Sequence, residues 1–155
     1  MDGLSWFASG QHESMPSLLL KAGFDVFLGN DRGTKNSQRH NELDPIEDAA
    51  KFYDFSYAEL GLYDAPANLN FIRDQHAKGK PVTYIGYGQS STAMLYALSK
   101  REKAPWFKQL LDSVVLLSPC VFLDEPSLMY PGMSEGVSMA GTLYKSYELV
   151  HDRYD

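Results

Sequence analysis

The stretch Ile85-Gly86-Tyr87-Gly88-Gln89-Ser90-Ser91 stands between an apolar, β-rich run and a helix-like run that opens with small residues. A sharp strand-to-helix turn with flanking glycines is one way a serine hydrolase exposes its nucleophile, because the backbone there is crowded and strained. In this chain the central position is Gly88. Glycine has no side chain, so no acyl-enzyme can form there whatever the neighbouring groups do. Ser90 and Ser91 are the nearest hydroxyls, but both fall in the first helical turn rather than at the apex. Ser90 reads as a helix N-cap or a close-packing residue.

A serine nucleophile also needs a base and an acid to orient it. After the turn, Asp124 and His151 are the crude stand-ins, and they read as a surface carboxylate and a solvated histidine. His12, His40 and His76 have neither metal nor triad spacing. The single Cys120 cannot form an internal disulfide, and no Cys/His spacing suggests zinc. Cys120 is expected as a small buried side chain just after a strand. Neither a cofactor nor a metal is called for.

The elements that would position the turn are read from three short apolar runs: Phe24 to Leu28, Val82 to Ile85 and Val114 to Leu117. Each ends in turn-forming or small residues. Helical segments lie between them, which is the alternation of an α/β protein with parallel strands and helical crossovers. Met15 to Ala22 should be a helix stopped at Gly23, with Gly23 as the C′ residue. Ser56 to Glu59 has capping-box spacing, and Asp64 before Pro66 reads as a second helix start. Gln89 to Leu98 is expected as a helix seated close to the sheet through its small residues, with Met94, Leu95, Ala97 and Leu98 in the core.

The chain has 155 residues, 44% hydrophobic and 22% charged, which suits one globular domain with a real core. Its formal charge is −6, and its basic residues are scattered, so the electrostatic footprint of a nucleic-acid binder is missing. The apolar runs fall far short of the ~20 residues needed to cross a bilayer, so no transmembrane segment is expected. Met1 to Gly10 lacks the basic start and apolar core of a secretory signal, which points to an intracellular or organellar complex. Past residue 123, Pro126, Pro131, Gly132, Gly136 and Gly141 mark residues 124–155 as an irregular extension, with Thr142 to Val150 as a candidate helix.

Several stretches together are similar to one family. Gly3-Leu4 with Trp6, then Lys21 to Gly33 ("KAGFDVFLGNDRG") with Ser37 and His40, then Asp54 to Ile72 ("DFSYAELGLYDAPANLNFI"), then Thr83 to Thr92 ("TYIGYGQSST") resemble the acid lipases. The resemblance covers roughly residues 2 to 120. It implies the α/β-hydrolase fold, here in partial form over residues 1–123: a parallel sheet with flanking helices, lacking the N-terminal strands and the later strands that carry the triad acid and histidine.

Against the family's G-H-S-Q-G turn, Gly86 and Gln89 are kept, Tyr87 replaces histidine, Gly88 replaces serine and Ser90 replaces the last glycine. The family's oxyanion loop, His-Gly-Leu, matches Asp2-Gly3-Leu4, so that histidine is replaced as well. The backbone N–H groups of Leu4 and Gln89 are then the remnant of an oxyanion hole. The resemblance also places Asn30, Arg32 and Gly33 beside the site entrance, where Arg32 is read as a structural arginine paired with a nearby carboxylate such as Asp54.

In the family's sheet a strand lies between those matched by the runs at Phe24 and Val82, and it would precede Asp2. A vacancy there leaves two rows of backbone N–H and C=O groups without partners. Either another polypeptide supplies a strand, or the two runs close up, or the chain is part of a longer protein. The resulting expectation is a non-catalytic, lipase-like module acting as a structural or assembly subunit, with other protein subunits covering its edges. Two other readings remain: a split chain of an ester or lipid hydrolase of the serine type, and a binder of a lipid or acyl ligand.

Overall fold

The computed structural model describes residues 3–8, 10 and 12–120. Two parallel strands, β1 (Val82–Tyr87) and β2 (Leu111–Leu117), pair in register from Thr83 opposite Ser113 to Tyr87 opposite Leu117. They are joined by two helices, α5 (Gln89–Ser99) and α6 (Ala104–Leu110). The four helices before β1 are α1 (Met15–Lys21), α2 (Ala49–Phe52), α3 (Tyr57–Glu59) and α4 (Ala65–Ile72). A 3-10 turn over Gly3–Phe7 precedes them. Both strands are longer than the apolar runs that announced them, since Gly86, Tyr87, Leu111 and Ser113 also join the ladder, with Asp112 skipped by a shift in register.

The local signals work as chemistry. At the end of α1, Gly23 has φ +90, its N–H donates to the Leu20 carbonyl, and the Phe24 N–H donates to the Leu19 carbonyl. That pair of bonds is a Schellman motif, which glycine completes without a Cβ penalty. At the start of α3, Ser56 Oγ accepts from the Ala58 N–H, while the Glu59 carboxylate accepts from the Ser56 N–H and hydroxyl, both at 2.7 Å. Those bonds hold the Glu59 carboxyl below its ordinary range.

Asp64 does not start a helix. Residues 57–77 run as one helical rod in which α3 and α4 alternate with π-helical turns, Leu60–Asp64 and Arg73–Ala77. Asp64 has helical φ and ψ, and its carboxylate makes no cap. Pro66 lacks an N–H and crowds the carbonyl four residues earlier; the wider π turn sits just ahead of it. Gly61, in that turn, presses against the backbone of α5, where an added Cβ would overlap the Ala93 carbonyl and lie 2.9 Å from the Ala93 carbonyl carbon. The small residues of α5 therefore serve helix-to-helix approach as well as contact with the sheet.

The core is formed by Ala65, Leu69, Met94, Ala97, Phe107 and Leu110, with Val82, Tyr84, Val114 and Leu116 of the sheet packed on it. Of the expected core face of α5, Met94 and Ala97 are fully buried, whereas Leu95 and Leu98 are half-buried. The sheet residues in the core alternate, so one face of the β1–β2 pair is covered by helices. Val115 and Tyr87, on the other face, are exposed. Helix α6 is an element beyond those expected, and Pro105 at its start and the spacing of Trp106, Phe107 and Leu110 carry its signal.

The run Phe24 to Leu28 is not a strand. Residues 24–30 carry no regular structure, and among the described residues β1 pairs only with β2. A parallel strand exists only with a ladder partner, and none of the described residues supplies one beside this run. Phe24, Phe27 and Leu28 are correspondingly exposed. The two runs have therefore not closed up on one another. Asp2, the extension over residues 124–155 with its candidate helix, and both Asp124 and His151 lie outside the described residues.

Candidate functional site

The turn after β1 is built by backbone geometry. Gly88 adopts φ +56 and ψ −117, a combination that L side chains seldom take, and it reverses the chain from strand into α5. Its N–H donates to the Leu117 carbonyl at 2.9 Å, and Ser91 Oγ donates to the same carbonyl at 3.0 Å, so the turn is hooked onto the end of β2. Gly86 is required by crowding: a Cβ there would lie 2.9 Å from a ring carbon of Tyr84 and 3.0 Å from the Ser91 nitrogen. At Gly88 the opposite holds. A Cβ at the apex would meet nothing within 4 Å among the described residues.

Ser90 does not cap α5, whose N-cap is Gly88 without any side-chain bond. Its hydroxyl instead donates to Asp31 Oδ2 at 3.3 Å, and its carbonyl accepts from the Tyr84 hydroxyl at 3.2 Å. Burial pushes the Asp31 carboxyl up, the nearby Asp64 charge adds to this, and the Ser90 hydrogen bond works against it. Burial, reinforced by the Asp31 charge, likewise pushes the Tyr84 phenol up. Nothing in the spacing of the chain singles out Asp31 as a partner of the elbow. Its one signal is its place as the acidic residue ahead of Arg32 in the "GNDRG" turn.

Arg32 is a structural arginine, but its partner is Asp64 rather than Asp54. Asp64 accepts from the Arg32 backbone N–H and Nε, each at 2.8 Å, and its carboxylate pairs with the guanidinium at 2.6 Å. The same guanidinium lies over the rings of Phe55 and Tyr63. Gly33, at φ +77, leaves room for the Phe55 ring, which an added Cβ would approach to 2.8 Å. Asn30 reaches the other way: its Oδ1 accepts from the Gly3 N–H at 2.9 Å.

That bond, together with an edge contact between the Trp6 and Tyr87 rings at 6.3 Å, brings the Gly3–Phe7 turn beside the elbow. Leu4 is exposed on this surface. The Gln89 side-chain amide nitrogen is shielded from solvent and has no hydrogen-bond partner among the described residues. The structure therefore gathers Gly3, Leu4, Asn30, Asp31, Gly86 to Ser90 and Tyr84 into one region. His12, His40 and His76 stay outside it, and the described residues contain no cluster of three or more potential metal ligands.

Cys120 is exposed, contrary to expectation. It lies past Pro119, beyond the end of β2, and its backbone rather than its thiol is held. Thr92 Oγ1 accepts from the Cys120 N–H at 3.0 Å and donates to its carbonyl at 3.1 Å. No helix among the described residues is long and apolar enough to cross a membrane.

Comparison with known proteins agrees with this architecture. A family model described as the alpha/beta hydrolase fold matches residues 4–135. The chain is 33% identical over 123 residues to a lysosomal acid lipase/cholesteryl ester hydrolase of Macaca fascicularis, covering 79% of this chain and 29% of that protein. It is 35% identical over 116 residues to lipase 1 of Drosophila melanogaster, covering 75% and 25%. With triacylglycerol lipase 2 of Arabidopsis thaliana it shares 32% identity over 126 residues, covering 79% and 28%. The chain thus spans less than a third of the length of these relatives. No solved structure gives a significant match.

Proposed function

Because the chain belongs to the α/β-hydrolase fold family, we propose that it is a lipase-like module without serine-hydrolase chemistry of its own, acting as a structural or assembly subunit of a larger protein complex. The observation that carries this reading is Gly88. The apex of the turn has the backbone for a nucleophile, with nothing among the described residues crowding it, but no side chain to attack an ester. Ser90, the nearest half-buried hydroxyl, lies in the first turn of α5 past the apex and is engaged with the Asp31 carboxyl at 3.3 Å. Assembly is supported by β1 pairing with β2 alone among the described residues, by the run 24–30 lacking a strand partner there, and by the exposed Tyr87 and Val115 on the second sheet face.

A second reading has its own support. The chain spans under a third of relatives named as lipases, which suits one piece of an ester or lipid hydrolase whose remaining groups lie on another polypeptide. Such an enzyme would still need a nucleophile other than position 88.

The two readings separate by experiment. The chain, purified from its native source with whatever accompanies it, is treated with a fluorophosphonate probe and separated by mass. The assembly reading expects a stoichiometric partner and no probe on this chain or on that partner. Probe on a co-purifying chain supports the split hydrolase, and probe on Ser90 overturns the loss of chemistry. Expressed by itself, the chain should aggregate or behave as a molten state; a monodisperse monomer that unfolds cooperatively would sink the assembly reading.

A further inference from the structure

We propose that the cleft between the loop following Asn30 and helix α2 binds a small oxyanion, a carboxylate or phosphate carried on a partly apolar body. The cleft has a volume of about 540 Å³, within the range of ~300 to 1,000 Å³ typical of small-molecule sites. None of the elbow residues Gly86 to Ser90 lines it, so the inference is independent of the chemistry lost at Gly88.

Charge selects the ligand. Arg32 and Asp64 both line the cleft, but they neutralise one another. Arg39 and Lys51 also line it, are exposed, and make no ion pair among the described residues. Asp54 lines the cleft as well, so the lining holds three cations, Arg32, Arg39 and Lys51, against two carboxylates, Asp54 and Asp64. The cleft is thus left positive on a chain whose formal net charge is −6. A cationic ligand is disfavoured by this arrangement, and a neutral one makes no use of it.

His40 supplies the directional donor. Its Nδ1 accepts from the backbone N–H groups of Glu42 at 3.1 Å and Leu43 at 3.0 Å, which in the neutral ring places the proton on Nε2. The ring packs edge-on against Phe52 at 6.0 Å, so the imidazole is held from two sides. The His40 imidazole and an excess of cations over carboxylates around a single cavity form a receptor for oxyanion oxygens. Phe52 and Phe55, also in the lining, offer apolar surface to whatever carries the anion.

The test is isothermal titration of the natively purified chain with inorganic phosphate and, separately, with octanoate, at fixed ionic strength. One saturable site for at least one probe is expected. Arg39→Gln and Lys51→Gln should each weaken it about tenfold, the usual scale for losing one charge-assisted contact, whereas Lys108→Gln, an exposed lysine on α6, should leave it unchanged. Sedimentation with phosphatidic-acid vesicles distinguishes the source: capture that depends on Arg39 and Lys51, without binding of either soluble probe, assigns the oxyanion to a lipid headgroup. Absence of saturable binding in all three arms overturns the proposal. So does binding that the Arg39 and Lys51 variants leave intact, because nonspecific attraction does not depend on particular cations.

Discussion

Two regions of this molecule begin from the same kind of sequence and end differently. Val82 to Ile85 and Phe24 to Leu28 are both short, apolar and β-rich, and both run into a glycine-containing turn. The first becomes β1, bonded to β2, and delivers the chain into the elbow at Gly88. The second has no ladder partner among the described residues and stays irregular, with Phe24 and Phe27 exposed. A strand is a property of a pair, so an identical local pattern gives structure in one place and an unpaired edge in the other.

The largest effect expected from this contrast is in amide exchange. In the β1–β2 ladder, amides that donate across the sheet should exchange at least ~100-fold more slowly than those of Asp25 to Leu28, since unpaired backbone opens at almost no cost. If assembly fills the edge of β1, the amides of Asp25 to Leu28 should gain protection in the complex, and those already paired with β2 should change little. Equal protection in the two regions of the uncomplexed chain would remove the contrast.

A smaller effect separates the glycines that serve the two regions. Gly61 lets the helical rod touch the backbone of α5, which carries the elbow, and an added Cβ there meets backbone that cannot move aside. Gly61→Ala should therefore cost about 3 kcal/mol, the upper end of ordinary overpacking. Gly23, which leads into the unpaired run, has φ +90 but nothing within 4 Å of an added Cβ. Gly23→Ala should cost about 1 kcal/mol, from backbone strain alone. Urea unfolding followed by the two tryptophans ranks them, and a reversed order would mean that α5 is not seated as described.

The signals that could be read in sequence are those satisfied within a few residues. The Schellman glycine at Gly23 and the Ser56–Glu59 capping box form with near neighbours, and at Gly88 the positive φ needs only the glycine itself. What could not be read depends on distant partners. Asp64 looks like a cap until Arg32, thirty-two residues away, takes its carboxylate. Ser90 looks like a cap until Asp31 accepts its proton. Cys120 looks like a core residue after a strand, but Thr92 holds its backbone and turns the thiol outward. The candidate site was legible as a backbone turn, and its side-chain environment was not.

The smallest expected effect concerns the bond that ties the two regions together, from Ser90 in α5 to Asp31 at the end of the irregular run. Burial raises the Asp31 carboxyl above its ordinary value of 3.8, so the folded chain holds this proton at pH values where the unfolded chain has already lost it. The contribution to stability is therefore most favourable below the ordinary value and is lost as pH rises through the folded one, leaving a buried charge as a cost at neutral pH. An asparagine keeps an oxygen that can accept from Ser90 and removes the charge. Asp31→Asn should thus raise the urea midpoint at pH 7, by well under about 1 kcal/mol for a half-buried group. The gain should disappear when both chains are compared below pH 3.8. A loss of stability of equal size at both pH values would instead show that the Ser90 bond to a carboxyl, and not the burial of its charge, governs how the elbow is joined to the unpaired run.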